Sequence, residues 1–222
     1  MKLTATREEI EAYQRKVEKN EIAPHSLPPC PVCQVCSEYF KGHAYRERQF
    51  LIIENTFTEK VFCSLVRFAC TGCNKTFTFY PDFAIPNKHY TLPTIMRFSA
   101  NYVENDDISY EKATMIDHQT PGYPDTDSTS LAGSTIYRWI STLGQFARTS
   151  RNALSLIMQE NPSSNICRSL AQIVIPRRKY RSESRKKLLL NCRQLIMIEK
   201  LFQDIFKKVS IFTNLATRYQ FS

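Results

Sequence analysis

Two pairs of cysteines with Cys-x-x-Cys spacing constrain the fold of this chain more than any other feature of its sequence. Cys30 and Cys33 form the first pair, and Cys70 and Cys73 form the second, more than thirty residues later. Two such pairs supply the four thiolates of a tetrahedral structural zinc site, in which each pair holds the metal from a tight turn. The sequence therefore predicts one structural Zn²⁺ ion. A closed shell of four thiolates leaves no position for a catalytic water.

The sequence does not decide the identity of every cysteine ligand. Cys36 repeats the Cys-x-x-Cys spacing after Cys33, so it could replace a ligand of the first pair. Cys63 lies in a predicted strand, and Cys167 and Cys192 lie on predicted helices, which favours three free thiols. Eight cysteines and a charged N-terminus without a signal peptide indicate a reducing compartment. We expect a cytoplasmic protein, associated with the nucleoid if the host is bacterial.

Charge is distributed unevenly along the 222 residues, whose net charge is +9. Residues 177–208 contain eleven Lys and Arg residues against three acidic ones, whereas residues 104–127 contain seven acidic residues against one Lys. This polarity favours a polyanionic partner, although a solvated helix face would give the same pattern. Because no apolar run approaches the roughly 20 residues that span a bilayer, we expect no membrane partner.

The segment 133–140 resembles the recognition helix of helix-turn-helix domains in resolvases, invertases and transposases, where a Ser-Thr-(Ile/Val)-Tyr-Arg-Trp run is frequent. Its apolar residues can face a helical core while its polar residues point outward near the start of the helix. Arg138 could read guanine, and the hydroxyl groups could bind phosphates. An amphipathic helix with an incidental arginine is the alternative. The candidate DNA-binding residues are Ser134, Thr135, Tyr137 and Arg138.

Residues 177–187, here named the basic segment, are a second candidate for DNA binding. Their cations stand beside Tyr180 and suit phosphate contacts that release counterions, so binding would weaken steeply with salt. A solvated linker before a long helix is the alternative. The candidate residues are Arg177, Arg178, Lys179, Arg181, Arg185, Lys186 and Lys187.

The predicted fold class is α+β and mainly α. Strands over 61–69 and 75–80, on either side of the second cysteine pair, form a small N-terminal zinc-ribbon β-hairpin with four cysteine ligands, which is marginal without its metal. The segment 43–56 before them is extended in character, with strand composition over 50–53. A helix-turn-helix and a C-terminal helical region follow, ending in a long helix over 182–212. The predicted segments are an N-terminal helix within 1–22 that begins at Thr6, a zinc ribbon over 23–86, a helix-turn-helix-like domain over 87–145 and a basic helical region over 146–222.

Together these features resemble a largely uncharacterised bacterial family of zinc-ribbon proteins associated with transposases and mobile elements. The resemblance covers roughly residues 28–145. The motifs that carry it are Cys30-Pro31-x-Cys33, the strand with Arg46 and Arg48, Phe68-Ala69-Cys70-x-x-Cys73-x-x-Thr76-Phe77 and Pro81-Asp82-Phe83-x-Ile85-Pro86-x-Lys88-x-Tyr90. The resemblance implies a DNA-binding accessory or a remnant of transposition.

We therefore predict a sequence-specific double-stranded DNA-binding protein that assists transposition or regulates a mobile element. No metal-binding carboxylate triad, Ser/His/Asp constellation or phosphate loop stands out, so we expect no enzyme. One alternative is a non-catalytic interaction subunit that binds a transposase or another mobile-element protein through the ribbon and the long helix, which could also form a homodimer. Another is a single-stranded nucleic-acid or RNA binder that stacks bases on Phe77, Phe79 and Tyr80, although their alternation on one strand face also suits core packing.

Overall fold

The computed structural model describes residues 7–24, 27, 29–30, 32–207, 209–212 and 219–221. The chain divides into two compact units, which we name the sheet unit (residues 1–94 and 212–222) and the helical unit (residues 95–211). The elements of the sheet unit are α1 (Arg7–Glu18), a 3-10 turn (Ser37–Tyr39), β1 (Phe40–Glu54), β2 (Phe57–Cys70), β3 (Thr76–Phe79) and β4 (Tyr219–Phe221).

Helix α2 (Leu92–Glu104) spans the boundary between the units in the sequence. The further elements of the helical unit are α3 (Tyr110–Ala113), α4 (Gly133–Leu143), α5 (Ala147–Glu160), α6 (Ile166–Ala171), a 3-10 turn (Arg177–Lys179) and α7 (Glu183–Ile205). Helix α1 is the predicted N-terminal helix, and the predicted start of that helix at Thr6 lies outside the described residues.

The sheet is antiparallel, with the strand order β1-β2-β3-β4. Strands β1 and β2 pair along their whole length and are joined by a two-residue turn at Asn55 and Thr56. Asn55 has a φ of 55°, a left-handed conformation that asparagine tolerates and that tight hairpin turns require. A register shift between Gly42 and Ala44 marks a bulge in β1. The local turn chemistry thus supports the long β1–β2 hairpin.

Helix α1 packs against β2 and covers part of the sheet. Its buried residues Ile10, Tyr13 and Val17 follow one another at helical spacing, which gives the helix one apolar face. On the same helix the Gln14 side chain accepts a hydrogen bond from the Ser64 backbone N–H at 2.8 Å. This contact satisfies a donor on a stretch of β2 that faces no strand on its outer side among the described residues. Helix α1 therefore contributes apolar side chains to the core and also covers part of the exposed edge of β2.

The helical unit forms its core where α4 and α5 pack against α7. Helix α4 contributes Ile136, Trp139, Ile140 and Leu143, all of which are buried. The buried face of α7 includes Leu189, Cys192, Leu195, Ile196, Ile198 and Phe202. The wide apolar face that the sequence assigns to the long helix is therefore covered within the unit itself.

The predicted fold class is wrong in two respects. The predicted strands 61–69 and 75–80 are β2 and β3, but they do not form a small separate ribbon, because they belong to a four-stranded sheet in which β1 and β2 have 15 and 14 residues. The cysteine cluster lies at one end of this sheet. This sheet buries an extensive apolar core that includes Phe50, Leu65 and Phe77. The helical unit also lacks the predicted helix-turn-helix within its described residues. Helices α3 and α4 are joined by the long stretch 114–132 rather than by the short turn that this motif requires.

Candidate metal centre and candidate nucleic-acid interface

Cys30, Cys33, Cys70 and Cys73 converge at one end of the sheet. Their four Sγ atoms all lie within 4.8 Å of one another. The Sγ atoms of Cys30 and Cys73 are 3.8 Å apart, and those of Cys33 and Cys70 are 3.6 Å apart. These separations are too long for a disulfide, whose sulfur atoms are about 2.0 Å apart. The cluster could hold a metal ion, as the spacing of the two pairs predicts.

The two cysteine pairs sit in turns with the same hydrogen-bond pattern. In the first turn the Cys30 carbonyl accepts from the Gln34 N–H and the Cys30 N–H donates to the Val35 carbonyl, both at 2.9 Å. In the second turn Cys70 makes the same two bonds with Asn74 and Lys75, at 2.8 and 2.9 Å. The two turns thus share the same backbone hydrogen bonds, as expected for the two halves of one metal site.

Left-handed backbone conformations close both turns. Gln34 has a φ of 61° and Asn74 a φ of 56°, so the residue directly after each cysteine pair takes this conformation. The φ of Gly72 is not positive. Its lack of a side chain matters because the first turn packs directly against it. A Cβ added at Gly72 would lie 3.3 Å from both methyl groups of Val35 and 3.6 Å from the Cys33 Sγ. The glycine between Cys70 and Cys73 therefore lets the two cysteine turns pack closely together.

The second turn is also tied to the start of β1. The backbone N–H and the hydroxyl of Thr71 both donate to the Tyr39 carbonyl, at 3.0 and 2.9 Å. Cys30 and Cys70 are fully buried, whereas Cys33 and Cys73 are partly exposed. The thiols are therefore held by backbone hydrogen bonds and by burial as well as by any ion that they bind.

The other cysteines lie apart from the cluster. Cys36 is exposed, and its Sγ lies 3.9 Å from a Glu38 carboxylate oxygen, so the open question about the first pair is settled in favour of Cys30 and Cys33. Burial raises the pKa of the Cys63 thiol to about 12, and burial also raises the pKa of Cys192. Both of these buried thiols are protonated near neutral pH and are poor metal ligands.

The cluster fits a tetrahedral ion with four sulfur ligands. Zn–S bonds of about 2.3 Å place the sulfur atoms of a regular tetrahedron about 3.8 Å apart. The Cys30–Cys73 and Cys33–Cys70 separations, 3.8 and 3.6 Å, agree with this value. A bound ion would hold the two turns together as a structural site, since all four positions are taken by thiolates. Iron also accepts four thiolates, so the donor set alone does not identify the metal.

The candidate DNA-binding residues on α4 lie near the start of that helix. Ser134 and Arg138 are exposed, Tyr137 is about half exposed, and Thr135 is partly buried. The Arg138 side chain donates to the Ser134 carbonyl at 3.3 Å and to its hydroxyl at 3.4 Å, so it lies along its own helix. An exposed arginine held in this way by its own helix is accessible to a partner.

Three cations of the basic segment contact residues outside that segment. Arg178 forms an ion pair with Asp107. Lys179 donates to the carbonyl of Tyr102 at 2.6 Å and to that of Asn105, which caps the C-terminal end of α2. Residues 104–127, here named the acidic segment, therefore neutralise part of the basic segment. The sequence did not suggest this pairing.

Arg185 is the third of these cations, and it is buried. Its guanidinium donates to the Ser141 hydroxyl at 2.6 Å and to the Tyr110 hydroxyl at 2.6 Å. Its Cζ atom lies 3.8 Å from the centre of the Tyr137 ring. Arg185 thus joins α3, α4 and α7, and no sequence signal distinguishes it from its exposed neighbours.

The other basic-segment residues lie at the surface. Arg177 and Lys186 each reach Glu183, at 3.6 and 3.4 Å. Arg181 and Lys187 are exposed, and neither belongs to an ion pair among the residues that the structure describes. These two, with Arg138, are exposed cations of the predicted DNA-binding set that belong to no ion pair among the described residues.

The aromatic residues considered for base stacking in the sheet unit belong to its core. Phe77 and Tyr80 are buried to 0% and 1% exposure, and the Phe77 ring packs edge-on against Phe40 at 5.0 Å. The Arg48 side chain donates to the Tyr80 hydroxyl at 3.1 Å and to the Lys88 carbonyl at 2.7 Å. This strand face is therefore unavailable as a stacking platform.

A comparison with protein-family models finds a match over residues 33–118. The matching family is described as a domain of unknown function, DUF6431. The match includes Cys33, Cys70 and Cys73 and ends within the acidic stretch before α4. No curated protein and no solved structure matches the chain. Within the described residues, none of the helices has the length and apolar character needed to cross a bilayer. The chain is thus similar to DUF6431 over its cysteine-containing region and α2.

Proposed function

We propose that this protein binds double-stranded DNA through one surface of its helical unit, and that a zinc ion in the cysteine cluster stabilises its sheet unit. In this proposal the exposed side of α4 enters the major groove, where Arg138 reads bases, and the basic segment contacts phosphates. A role in transposition or in the regulation of a mobile element remains a prediction from the sequence resemblance.

One observation carries the proposal. Helix α4 and the basic segment are about forty residues apart in the sequence, yet Tyr137 of α4 stacks on Arg185, and Tyr137 and Arg181 line the same surface cleft. Helix α4 and the basic segment therefore lie side by side at the surface of the helical unit. An α-helix presented beside exposed cations suits the combination of base and phosphate contacts that duplex recognition needs.

Charge also favours a polyanion over a neutral partner. The net charge of +9 and the exposed Arg138, Arg181 and Lys187 remain after the acidic segment has paired with Arg178, Arg193 and Lys200. The interaction-subunit alternative loses its main support, because the apolar face of α7 is buried within the helical unit. DNA binding is therefore the function that the residues support best.

The test begins with selection of bound duplexes from a random pool by the purified chain. Affinities of the selected duplex and of a random duplex are then measured by fluorescence anisotropy at several salt concentrations. We expect Arg138→Gln to weaken the selected duplex by about tenfold or more and the random duplex much less, since a base contact contributes about 1–3 kcal/mol.

Lys187→Gln should act differently from Arg138→Gln. It should weaken both duplexes alike and reduce the salt dependence by about one counterion, as loss of one phosphate contact does. Arg168→Gln, which removes an exposed cation from α6, is the matched control and should leave both affinities unchanged. Failure of the pool to yield an enriched sequence, or equal losses for Arg138→Gln on both duplexes, would refute groove reading.

A further inference from the structure

A cleft of about 510 Å³ opens within the helical unit between α3, α4 and the basic segment. Its volume lies in the range of sites for small organic ligands, about 300–1,000 Å³. The side chains that give it chemical character are Tyr102, Tyr110, Tyr137, Tyr180, Arg181 and Arg185. Aromatic rings and guanidinium groups thus line the same cavity.

Arg185 gives the cleft an uncompensated positive charge. The residue is only 8% exposed, and its hydrogen bonds go to the neutral oxygens of Ser141, Tyr110 and Tyr137. No ion pair among the described residues includes Arg185, and its buried Nε has no partner within that part of the chain. A buried charge without a counter-charge is costly, so an anion bound nearby would stabilise it.

The acids at the rim do not cancel this charge. Asp107 pairs with Arg178, and Asp106 pairs with Arg193 at 3.6 Å. Glu111 also lines the cleft and is exposed, whereas the exposed Arg181 adds a second guanidinium with no ion pair in the described part of the chain. The cleft therefore keeps two arginines for an anionic ligand and only one carboxylate that lacks an arginine partner.

Aromatic rings line the cleft, and Tyr110, Tyr137 and Tyr180 keep part of their surface exposed. The rings of Tyr102 and Tyr110 are stacked with centres 3.9 Å apart and planes 9° apart, and the Tyr137 ring meets Tyr110 edge-on at 5.8 Å. Tyr137 remains 47% exposed. An aromatic ring bearing a phosphate would use both properties, since bases stack on tyrosine and arginine planes and phosphates bind guanidinium groups.

We propose that this cleft binds a nucleotide, with its phosphate at Arg181 and Arg185 and its base against the tyrosines. The ligand is a free nucleotide or one unstacked nucleotide of a nucleic-acid strand, because the two present the same chemistry. This binding goes beyond duplex recognition and does not require it.

The test is a calorimetric titration of the full chain with adenosine 5′-monophosphate, and with adenosine and inorganic phosphate as its separate parts. We expect the nucleotide to bind more tightly than either part. Arg181→Gln should weaken nucleotide binding by about tenfold, the loss of one charge-assisted hydrogen bond, and Tyr180→Leu should weaken the nucleotide but not phosphate.

Lys187→Gln is the matched control, because this exposed cation of the same segment does not line the cleft. It should leave nucleotide affinity unchanged even where it weakens duplex binding. Absence of nucleotide binding at millimolar concentration, an unchanged affinity of Arg181→Gln, or phosphate binding as tight as that of the nucleotide would overturn the inference.

A short single-stranded oligonucleotide then identifies the source of the ligand. Displacement of adenosine 5′-monophosphate by the oligonucleotide would support a nucleotide within a strand, and nucleotide binding without displacement would support a free nucleotide. If the wild-type chain selects no duplex but binds the nucleotide, duplex recognition fails while the cleft assignment stands.

Discussion

The sheet unit and the helical unit both bury groups that can carry charge, but these groups have different kinds of partner. At the end of the sheet, Cys30 and Cys70 are fully buried beside two partly exposed cysteines, and as thiolates these four groups need a cation from outside the chain. In the helical unit the buried Arg185 and Glu199 take their hydrogen bonds from the protein itself. A bound ion would therefore contribute to the stability of the sheet unit. In the helical unit, Arg185 and Glu199 form hydrogen bonds with other groups of the protein, but neither belongs to an ion pair among the described residues.

The largest effect expected from this difference is that of metal loss. We expect about one zinc ion per chain by elemental analysis and loss of that ion in Cys70→Ser, with a destabilisation of several kcal/mol confined to the sheet unit. Hydrogen exchange should show faster exchange around both cysteine turns and unchanged protection of α4 and α7.

Cys36→Ser is the control for this experiment, because Cys36 is exposed and lies outside the cluster. It should retain the full metal content. Zinc retained at full occupancy in Cys70→Ser would rule out the four-cysteine site, whereas iron in place of zinc would keep the site and change its metal.

A smaller effect, in the opposite unit, is expected at Gly144. A Cβ added at this position would lie 2.5 Å from the Leu188 carbonyl oxygen, which belongs to the backbone of α7 and cannot easily move. Gly144→Ala should therefore cost about 1–3 kcal/mol of unfolding free energy, as overpacking does. Chemical denaturation measures this loss, and metal content should stay at the wild-type level.

Gly42→Ala offers a contrast to Gly144→Ala, because an added Cβ at Gly42 meets nothing within 4 Å. Its stability should change little. Equal stability of Gly144→Ala and the wild type would show that α4 and α7 do not approach as closely as the structure indicates.

The smallest effect expected is a pH dependence from Glu199. Burial raises the pKa of this carboxyl, although the Ile211 N–H and the side chains of Ser210 and Gln203 donate hydrogen bonds to it. Because the folded state then binds the proton more tightly than the unfolded chain, stability rises as pH falls through the interval between the unfolded and folded pKa values.

Glu199→Gln should abolish this contribution. The difference in unfolding free energy between the wild type and Glu199→Gln, followed from about pH 7 to about pH 4, should change in favour of the wild type as the pH falls. Asp204→Asn, an exposed position on the same helix, should retain the wild-type profile. A difference that does not vary with pH would contradict the assignment.

The metal cluster could be predicted from the sequence because its signal is local. The two Cys-x-x-Cys pairs identified all four clustered residues, and Asn74 directly after the second pair is consistent with the left-handed residue that closes the turn. The identity of the ion stays a prediction. Spacing could not exclude Cys36, because only the fold directs one thiol of the overlapping pairs away from the cluster.

The extent of the sheet could be predicted only in part, because the sequence of 43–56 indicates an extended segment but not its pairing with β2. The first half of β1 is largely exposed on both faces, so residues 41–47 lack the alternation that marks a half-buried strand. Pairing with β2 makes this stretch a strand, and that pairing is set by the distant turn at Asn55. The helix-turn-helix prediction was wrong because the apolar pattern of α4 does not reveal how long the connection to the preceding helix is.

Long-range charge pairing was also invisible in the sequence. The acidic and basic stretches suggested opposite faces, but Asp107 meets Arg178 and Glu104 meets Lys200. The long helix ends at Ile205 rather than near 212, since Lys207 takes a left-handed φ of 51° and the Ile211 N–H returns to Glu199. Neither contact follows from local propensity.

Strand β4 extends the sheet from a distant part of the chain, pairing with β3 through residues 219–221. The helical unit is consequently an insertion between two parts of the sheet unit. During synthesis the ribosome releases β1, β2 and β3 well before their fourth strand, and the whole inserted unit can fold in the interval. The outer edge of β3 must wait until residues 219–221 emerge, so a segment made after the entire helical unit decides when that edge is covered.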